Sequence, residues 1–156
     1  MKPLYIYFLL LLITLNDSKS EPNAWMLVDT LITDGFTRYV DIDCADDLHC
    51  IAVANYGGIP PHTWANITTD AGLTWINTLK NTEEIEPNNV AYPDTSLCII
   101  TCDSGYYWRS TDKGFSWFKY KIDSVRLISK IKFYNNKYGV TKGYNDFFIT
   151  EDGGLN

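Results

Sequence analysis

The sequence predicts an all-β protein, an incomplete β-propeller of about two and a half four-stranded antiparallel blades after a signal peptide. Three observations predict it. A short pattern recurs, as TTDAGLTW at 68–75, STDKGFSW at 110–117 and TEDGGLN at 150–156. Aligned on Asp70, Asp112 and Asp152, the copies lie 42 and 40 residues apart. The stretches upstream also correspond: CIAVANYGGIPPHTWANITTDAG parallels CIITCDSGYYWRSTDKG and YGVTKGYNDFFITEDGG. Finally, no stretch after the leader shows a helical period, whereas segments such as TWINTLK and SWFKYKI alternate with period two.

Each unit reads as a strand and turn, a second strand, a third strand, an Asp-Gly turn and a fourth strand. Four short strands in about 40 residues make one propeller blade. In blade one, about 36–80, the expected strands are 40–44, 50–54, 64–69 and 74–79. In blade two, about 81–122, they are 89–92, 97–102, 106–111 and 116–122. Blade three, 123–156, has 130–134, 139–143 and 147–150, and its fourth strand is missing. NTEEIEPNN at 81–89 is polar, ends in a proline turn and connects the first two blades. WMLVDTLITDGFTRYV, from Trp25, is expected to be an outer strand and lead-in. In a complete propeller such a segment closes the ring with the last blade.

The first twenty residues are a separate unit. Lys2 precedes an apolar run from Leu4 to Leu15, and Ser18 and Ser20 follow at small-x-small spacing. This is the pattern of a secretory signal peptide, 1–20, cleaved after Ser20. The run is too short for the roughly twenty residues that span a bilayer, so no stable membrane span is expected. The product is secreted, periplasmic or at the cell surface. Removing Lys2, Lys19 and Asp17 leaves 11 basic and 18 acidic residues, net −7. Such a charge repels nucleic acid and anionic lipid, and no basic run offsets it.

An exported chain with four cysteines invites pairing. Cys44 and Cys50 bracket ADDLH between two apolar stretches. If those stretches form a hairpin, the two thiols face each other near its end, and a bridge there contributes about 2 kcal/mol. Cys98 and Cys102 lie in CIITC, which reads as one strand. Four residues of strand span about 13 Å, whereas bridged Cα atoms lie within about 7 Å. These two are not expected to bond each other. Buried thiols, or a pairing of Cys98 elsewhere, remain the options. Only His49 and His62 are present and no Cys-x-x-Cys occurs, so no metal or cofactor is expected.

The recurring Ser/Thr-x-Asp-x-Gly-x-Thr/Ser-Trp pattern resembles the Asp box, or bacterial neuraminidase repeat. The first copy is Thr68, Asp70, Gly72, Thr74 and Trp75, and the second is Ser110, Asp112, Gly114, Ser116 and Trp117. The third has Thr150, Asp152 and Gly154, then departs, with Asn156 where Thr or Ser is expected. The resemblance covers roughly residues 40–156. Sialidases, sortilin-type receptors, some glucan-cleaving enzymes and photosystem II assembly factor-like propellers share the box, and the chain is most similar to the last group. The resemblance implies a box on the hairpin between a blade's third and fourth strands. There Asp accepts the hairpin's backbone N–H bonds, glycine supplies a positive φ, and the indole fills the blade's outer edge. On that reading Asp70 and Asp112 are architectural.

Catalytic groupings are hard to find. A sialidase holds its substrate carboxylate with converging arginines. This chain has Arg38, Arg109 and Arg126, and lacks the Phe-Arg-Ile-Pro motif. A glycosidase needs two carboxyls across a cleft. Asp41, Asp43, Asp46, Asp47, Asp94 and Asp103 are available, nearly all in turn contexts. Asn66 begins a glycosylation sequon, NIT, which overlaps the box. Tyr56, Trp64, Tyr106, Tyr107 and Trp108 cluster near second and third strands and are the candidate ligand aromatics. Sheet packing is the alternative use for them.

The sequence therefore predicts an exported, non-enzymatic propeller that binds protein or glycan as an assembly scaffold. The alternative is a sialidase-like glycoside hydrolase with catalytic residues partly in missing blades. Because closed propellers have about four or more blades, a fragment of a longer chain is expected. A short protein that completes its ring by oligomerising is the second expectation.

Overall fold

The computed structural model describes residues 37–56, 62–122 and 127–155, with the side chain of Tyr56 outside the description. The leader 1–20, the segment 21–36, Arg126 and Asn156 lie outside it too. Among the described residues there are eleven strands in three antiparallel sheets. Sheet one holds β1 (Arg38–Cys44), β2 (Cys50–Tyr56), β3 (His62–Thr68) and β4 (Ile76–Lys80), in that spatial order. Sheet two holds β5 (Pro87–Asp94), β6 (Leu97–Cys102), β7 (Tyr106–Ser110) and β8 (Phe118–Lys121). Sheet three holds β9 (Lys130–Phe133), β10 (Gly139–Lys142) and β11 (Phe147–Thr150). The meander order, the absence of helix among the described residues and the third sheet's shorter build are those of an incomplete β-propeller.

Burial explains why the strands read differently. β6 is buried at all six positions because sheets cover both its faces, so LCIITC is a continuous apolar run rather than an alternation. β10 and β11 alternate between half-buried and exposed positions, since only one face of sheet three is covered.

Two seams hold the sheets together. Between sheets one and two lie Ile51, Val53, Ala65 and Ile67 on one side and Val90, Tyr92, Cys98, Ile100 and Trp108 on the other. Between sheets two and three, Ala91, Ile99 and Tyr107 meet Ile128 and Ile131, with Phe133 and Phe148 at the margin. A buried Ile or Val side chain contributes roughly 1.5–3 kcal/mol, so these seams are the main source of cohesion.

At the inner edge, side chains of one sheet cap the backbone of the next. Asp41 Oδ2 accepts from the Val90 N–H at 2.9 Å, and from the Asn89 side-chain amide. Asp43 Oδ2 accepts from the Tyr92 N–H at 2.8 Å. The relay continues with Asn89 Oδ1, which accepts from the Ile131 N–H at 2.9 Å. Asp41 and Asp43 thus lie within β1, inside the strand expected over 40–44. Leaving such a buried donor unpaired costs about 1–3 kcal/mol.

The Asp-Gly hairpins are the third element of each seam. Gly114 has φ +85°, and a Cβ there would stand 2.8 Å from Ile67 Cγ2 of sheet one. Gly154, in sheet three's hairpin, has φ +73° and would place a Cβ 3.0 Å from Ile99 Cδ1 of sheet two. Gly72 shares the +85° φ, but a Cβ there would meet nothing nearer than its own Trp75 at 3.8 Å. Gly72→Ala and Gly114→Ala therefore carry the same backbone strain, while only Gly114→Ala also collides with a neighbouring sheet. Thermal unfolding should show Gly114→Ala losing about 1–3 kcal/mol more than Gly72→Ala. Equal losses would mean the hairpin does not act across the seam.

Candidate interaction surface

The hairpins are built from one repeated hydrogen-bond set. Thr68 Oγ1 donates to Asp70 Oδ1 at 2.8 Å and accepts from the Gly72 N–H at 2.9 Å. Asp70 Oδ1 also accepts from the Thr74 N–H at 2.8 Å, and Oδ2 from the Thr74 hydroxyl at 2.6 Å. Ser110, Asp112, Gly114 and Ser116 reproduce these bonds at the same four distances. In the third hairpin Thr150 donates to Asp152 at 2.8 Å, and the Gly154 N–H donates to Thr150 Oγ1 at 2.8 Å. With Leu155 following, Asp152 Oδ1 accepts from the Leu155 N–H at 3.0 Å.

The tryptophans differ. Trp75 Nε1 donates back to Gly72 O at 3.1 Å, within its own hairpin. Trp117 packs against the first seam and donates across it to Thr78 Oγ1 at 3.2 Å.

These bonds set the charge of the aspartates. The hydroxyl and N–H of Thr74 hold the Asp70 carboxyl below its usual value. For Asp112, partial burial pulls upward, and the Ser116 and Ser110 bonds outweigh it, so its value too is lowered.

Other acids are also engaged. Asp46 accepts from the Leu48 and His49 N–H groups at 2.9 and 2.8 Å inside the loop closed by the Cys44–Cys50 disulfide. The bridge joins directly opposed residues at the end of the β1–β2 ladder. Asp94 accepts from Ser96 in the β5–β6 turn. Asp103 stands apart: burial raises its carboxyl and Glu86 adds to the rise, while its Oδ1 accepts from the Glu86 N–H at 3.1 Å. Glu86 is held by Asn55 at 3.0 Å and lies 3.7 Å from Arg38.

The two described arginines do not converge. Arg38 is at the inner edge, whereas Arg109 Nε donates to Gly153 O at 2.8 Å and clasps the third hairpin to sheet two. Asn66 is 5% exposed and its amide donates to Tyr39 Oη at 3.4 Å. A glycan acceptor must be accessible, so the sequon there is a consequence of the hairpin pattern. Among the described residues no group of three His, Cys, Asp or Glu side chains could hold a metal, and no helix is long and apolar enough to cross a membrane.

The candidate aromatics do not form one cluster. Period-two alternation sends Tyr107 to the opposite face from Tyr106 and Trp108. Tyr107 is buried at the second seam, stacked on Tyr120 at 5.3 Å, with its hydroxyl donating to Gly154 O at 3.0 Å. Tyr106 is half-buried, with Lys119 at 5.3 Å and Lys121 at 5.1 Å from its ring centre. Lys119 also lies 6.0 Å from the Trp108 ring and pairs with Glu83. Trp64, half-buried on sheet one, has Lys80 at 5.0 Å. These lysines were missed in the sequence. They were detectable, since FKYK on β8 places Lys119 opposite Trp108 and Lys121 opposite Tyr106. The result is two separate half-exposed groups at equivalent ladder positions, Trp64 with Lys80 on sheet one and Tyr106 with Lys119 and Lys121 on sheet two, while Trp108 is buried in the first seam. A separate apolar cavity of about 400 Å³ lies between sheets two and three, lined by Tyr107, Tyr120, Ile122, Phe148, Gly154 and Leu155 among others.

Cys98 and Cys102 are free thiols in the first seam. Burial pushes Cys98 well up and Cys102 to about 12, the latter opposed by the Thr63 hydroxyl.

Two outcomes follow from these environments. A thiol-specific reagent such as maleimide should label neither free cysteine of the native protein and both after denaturation. Labelling of the native protein would place the thiols outside the seam. The lowered Asp70 and Asp112 values mean that their charged forms stabilise the fold above the ordinary carboxylate value of 3.8. That contribution is lost as pH falls through the lower folded-state values. The acid fall in melting temperature should be blunted in Asp70→Asn/Asp112→Asn, which should melt lower than the parent at neutral pH. An unchanged acid profile would remove these carboxylates from the fold's stability.

No family model matches the chain, and no curated protein matches it. Among solved structures it is similar to YCF48 bound to D1 peptide, with a TM-score of 0.61 at 21% identity, over 76% of this chain and 39% of that one. It is also similar to YCF48 from Cyanidioschyzon merolae, with a TM-score of 0.60 at 19% identity, over 77% of this chain and 36% of that one. The chain spans less than two fifths of the length of either. At that identity the likeness is one of fold, and the three stacked sheets are those of a β-propeller.

Proposed function

We propose that the chain is an exported, non-enzymatic propeller unit of the photosystem II assembly factor-like type, acting as an assembly scaffold that binds a protein partner. The observation that carries this reading is a half-exposed aromatic ring with lysine beside it at the same ladder position of two sheets, Trp64 with Lys80 and Tyr106 with Lys121 and Lys119. Aromatic faces with adjacent ammonium groups suit apolar and acidic side chains of a peptide. A glycan face would use the same rings, without the lysines. The recurring aspartates support the same reading, since their oxygens are occupied in hairpins that repeat once per sheet. A fold neighbour is a YCF48 bound to a D1 peptide, which agrees with a peptide ligand for this architecture.

One observation favours a second reading, glycoside hydrolysis of sialidase-like type. Asp103 has a raised carboxyl beside Glu86, the environment of a general acid. Against it, Arg109 is committed to the hairpin carbonyl of Gly153.

The secreted product should bind members of an acidic–apolar peptide array in preference to a glycan array. Tyr106→Ala or Trp64→Ala should weaken that binding about tenfold or more, without loss of fold, because both side chains are half-exposed. Turnover of fluorogenic sialosides or β-glucans that disappears in Asp103→Asn would establish the hydrolase instead.

A further inference from the structure

The connection between β4 and β5, residues 81–86, is the acidic strap NTEEIE. It is pinned at both ends by one residue of β3. The Asn81 N–H donates to Thr63 O at 3.0 Å, and Asn81 is 8% exposed. The Thr63 hydroxyl donates to Ile85 O at 2.8 Å, and the Ile85 side chain is buried in the first seam. Between these anchors Glu83 is fixed through its backbone. Its N–H donates to Asn81 Oδ1 at 3.2 Å. Its carbonyl accepts from the Ile85 N–H at 2.8 Å, from the Asn81 amide at 3.2 Å and from His62 Nδ1 at 3.2 Å. None of these bonds uses the Glu83 carboxylate, so only the side-chain torsions of Glu83 are left free.

That carboxylate pairs with Lys119 of β8. Lys119 is one of the two ammonium groups beside the half-buried Tyr106 ring, at 5.3 Å, with Lys121 at 5.1 Å. An exposed ion pair is worth little when two long side chains must both be ordered. Here the backbone of one partner is already held, which lowers that entropic cost. Donors nevertheless outnumber acceptors around the ring. Among the described residues no carboxylate pairs with Lys121. Trp108, whose ring centre lies 6.0 Å from Lys119 Nζ, is 9% exposed, and its indole N–H has no acceptor. One free ammonium and one orphaned N–H leave the group short of an anion.

We propose that the strap is a built-in competitor at the Tyr106 group, with Glu83 standing where an acidic side chain of the peptide partner binds. This rests on the reading of Tyr106 and its lysines as a peptide-binding group. A partner's Asp or Glu takes Lys119 when the Glu83 side chain rotates away, and the strap's backbone bonds stay intact. Lys121 supplies the incoming carboxylate with a second ammonium, and an apolar neighbour on the peptide covers the Tyr106 ring. Binding therefore exchanges one ion pair for another at Lys119, and the partner gains only the difference. A neutral peptide has nothing to exchange and leaves Glu83 in place.

The test is the affinity of the full chain for a capped acidic–apolar peptide, the strongest binder of the array, by fluorescence anisotropy at one fixed salt concentration. Parent, Glu83→Gln and Glu84→Gln are compared. Glu84 is an exposed neighbour outside the pair, so its variant carries the same charge change. Glu83→Gln should bind about two- to fivefold more tightly, the range an exposed ion pair is worth, and Glu84→Gln should stay near the parent. The gain should vanish in Glu83→Gln/Lys119→Gln, and for the same peptide with its acids replaced by amides. Thermal unfolding checks that each variant is folded. Equal effects of Glu83→Gln and Glu84→Gln, or weaker binding by Glu83→Gln, would overturn the proposal and leave the scaffold reading standing. A gain that persists without Lys119 would do the same. Peptides that bind neither the parent nor Glu83→Gln would overturn both.

Discussion

Everything in this fold depends on one sheet burying the face of the next. A lone four-stranded sheet with a short outer strand cannot hide two apolar faces. The first seam covers Ile51, Val53 and Ile67 with Val90, Ile100 and Trp108, and the second repeats the arrangement one sheet on. The hydrogen bonds at the periphery serve that burial. Asp70 and Asp112 fix hairpins whose glycine tips are narrow enough to approach a neighbour, and Gly114 reaches Ile67 for that reason.

The same constraint explains where the polar chemistry went. Asp41 and Asp43 satisfy N–H groups of β5, and Asn89 serves β9. Arg109 and the Tyr107 hydroxyl hold the carbonyls of the third hairpin. Each of these side chains looks like a functional candidate when met alone. Each is engaged where a backbone group of the neighbouring sheet would otherwise be buried without a partner. What remains for recognition are the two half-open aromatic and lysine pairs, Trp64 with Lys80 and Tyr106 with Lys121, one on each of the first two sheets.

The expected strands and the observed ones agree to within about two or three residues at most ends, the usual latitude of such boundaries. β6 and β11 coincide with 97–102 and 147–150. The Cys44–Cys50 bridge was legible because a six-residue separation across a polar loop leaves few geometries. The division of Tyr106, Tyr107 and Trp108 between two faces was legible in principle, since alternation dictates it. The destination of each face was not, because it depends on which sheet lies opposite.

The sequence by itself determined the strands, the hairpins and their repeat, because those follow from interactions within a few residues: period-two alternation, a hydroxyl two residues before an aspartate, a glycine at positive φ. Only the tertiary structure decided that Asp41 caps Val90, that Arg109 clasps Gly153 and that Cys98 and Cys102 are sealed thiols. Those contacts join residues separated by up to 49 positions or bury them between sheets. Their register is set by how whole sheets stack, which no local pattern encodes.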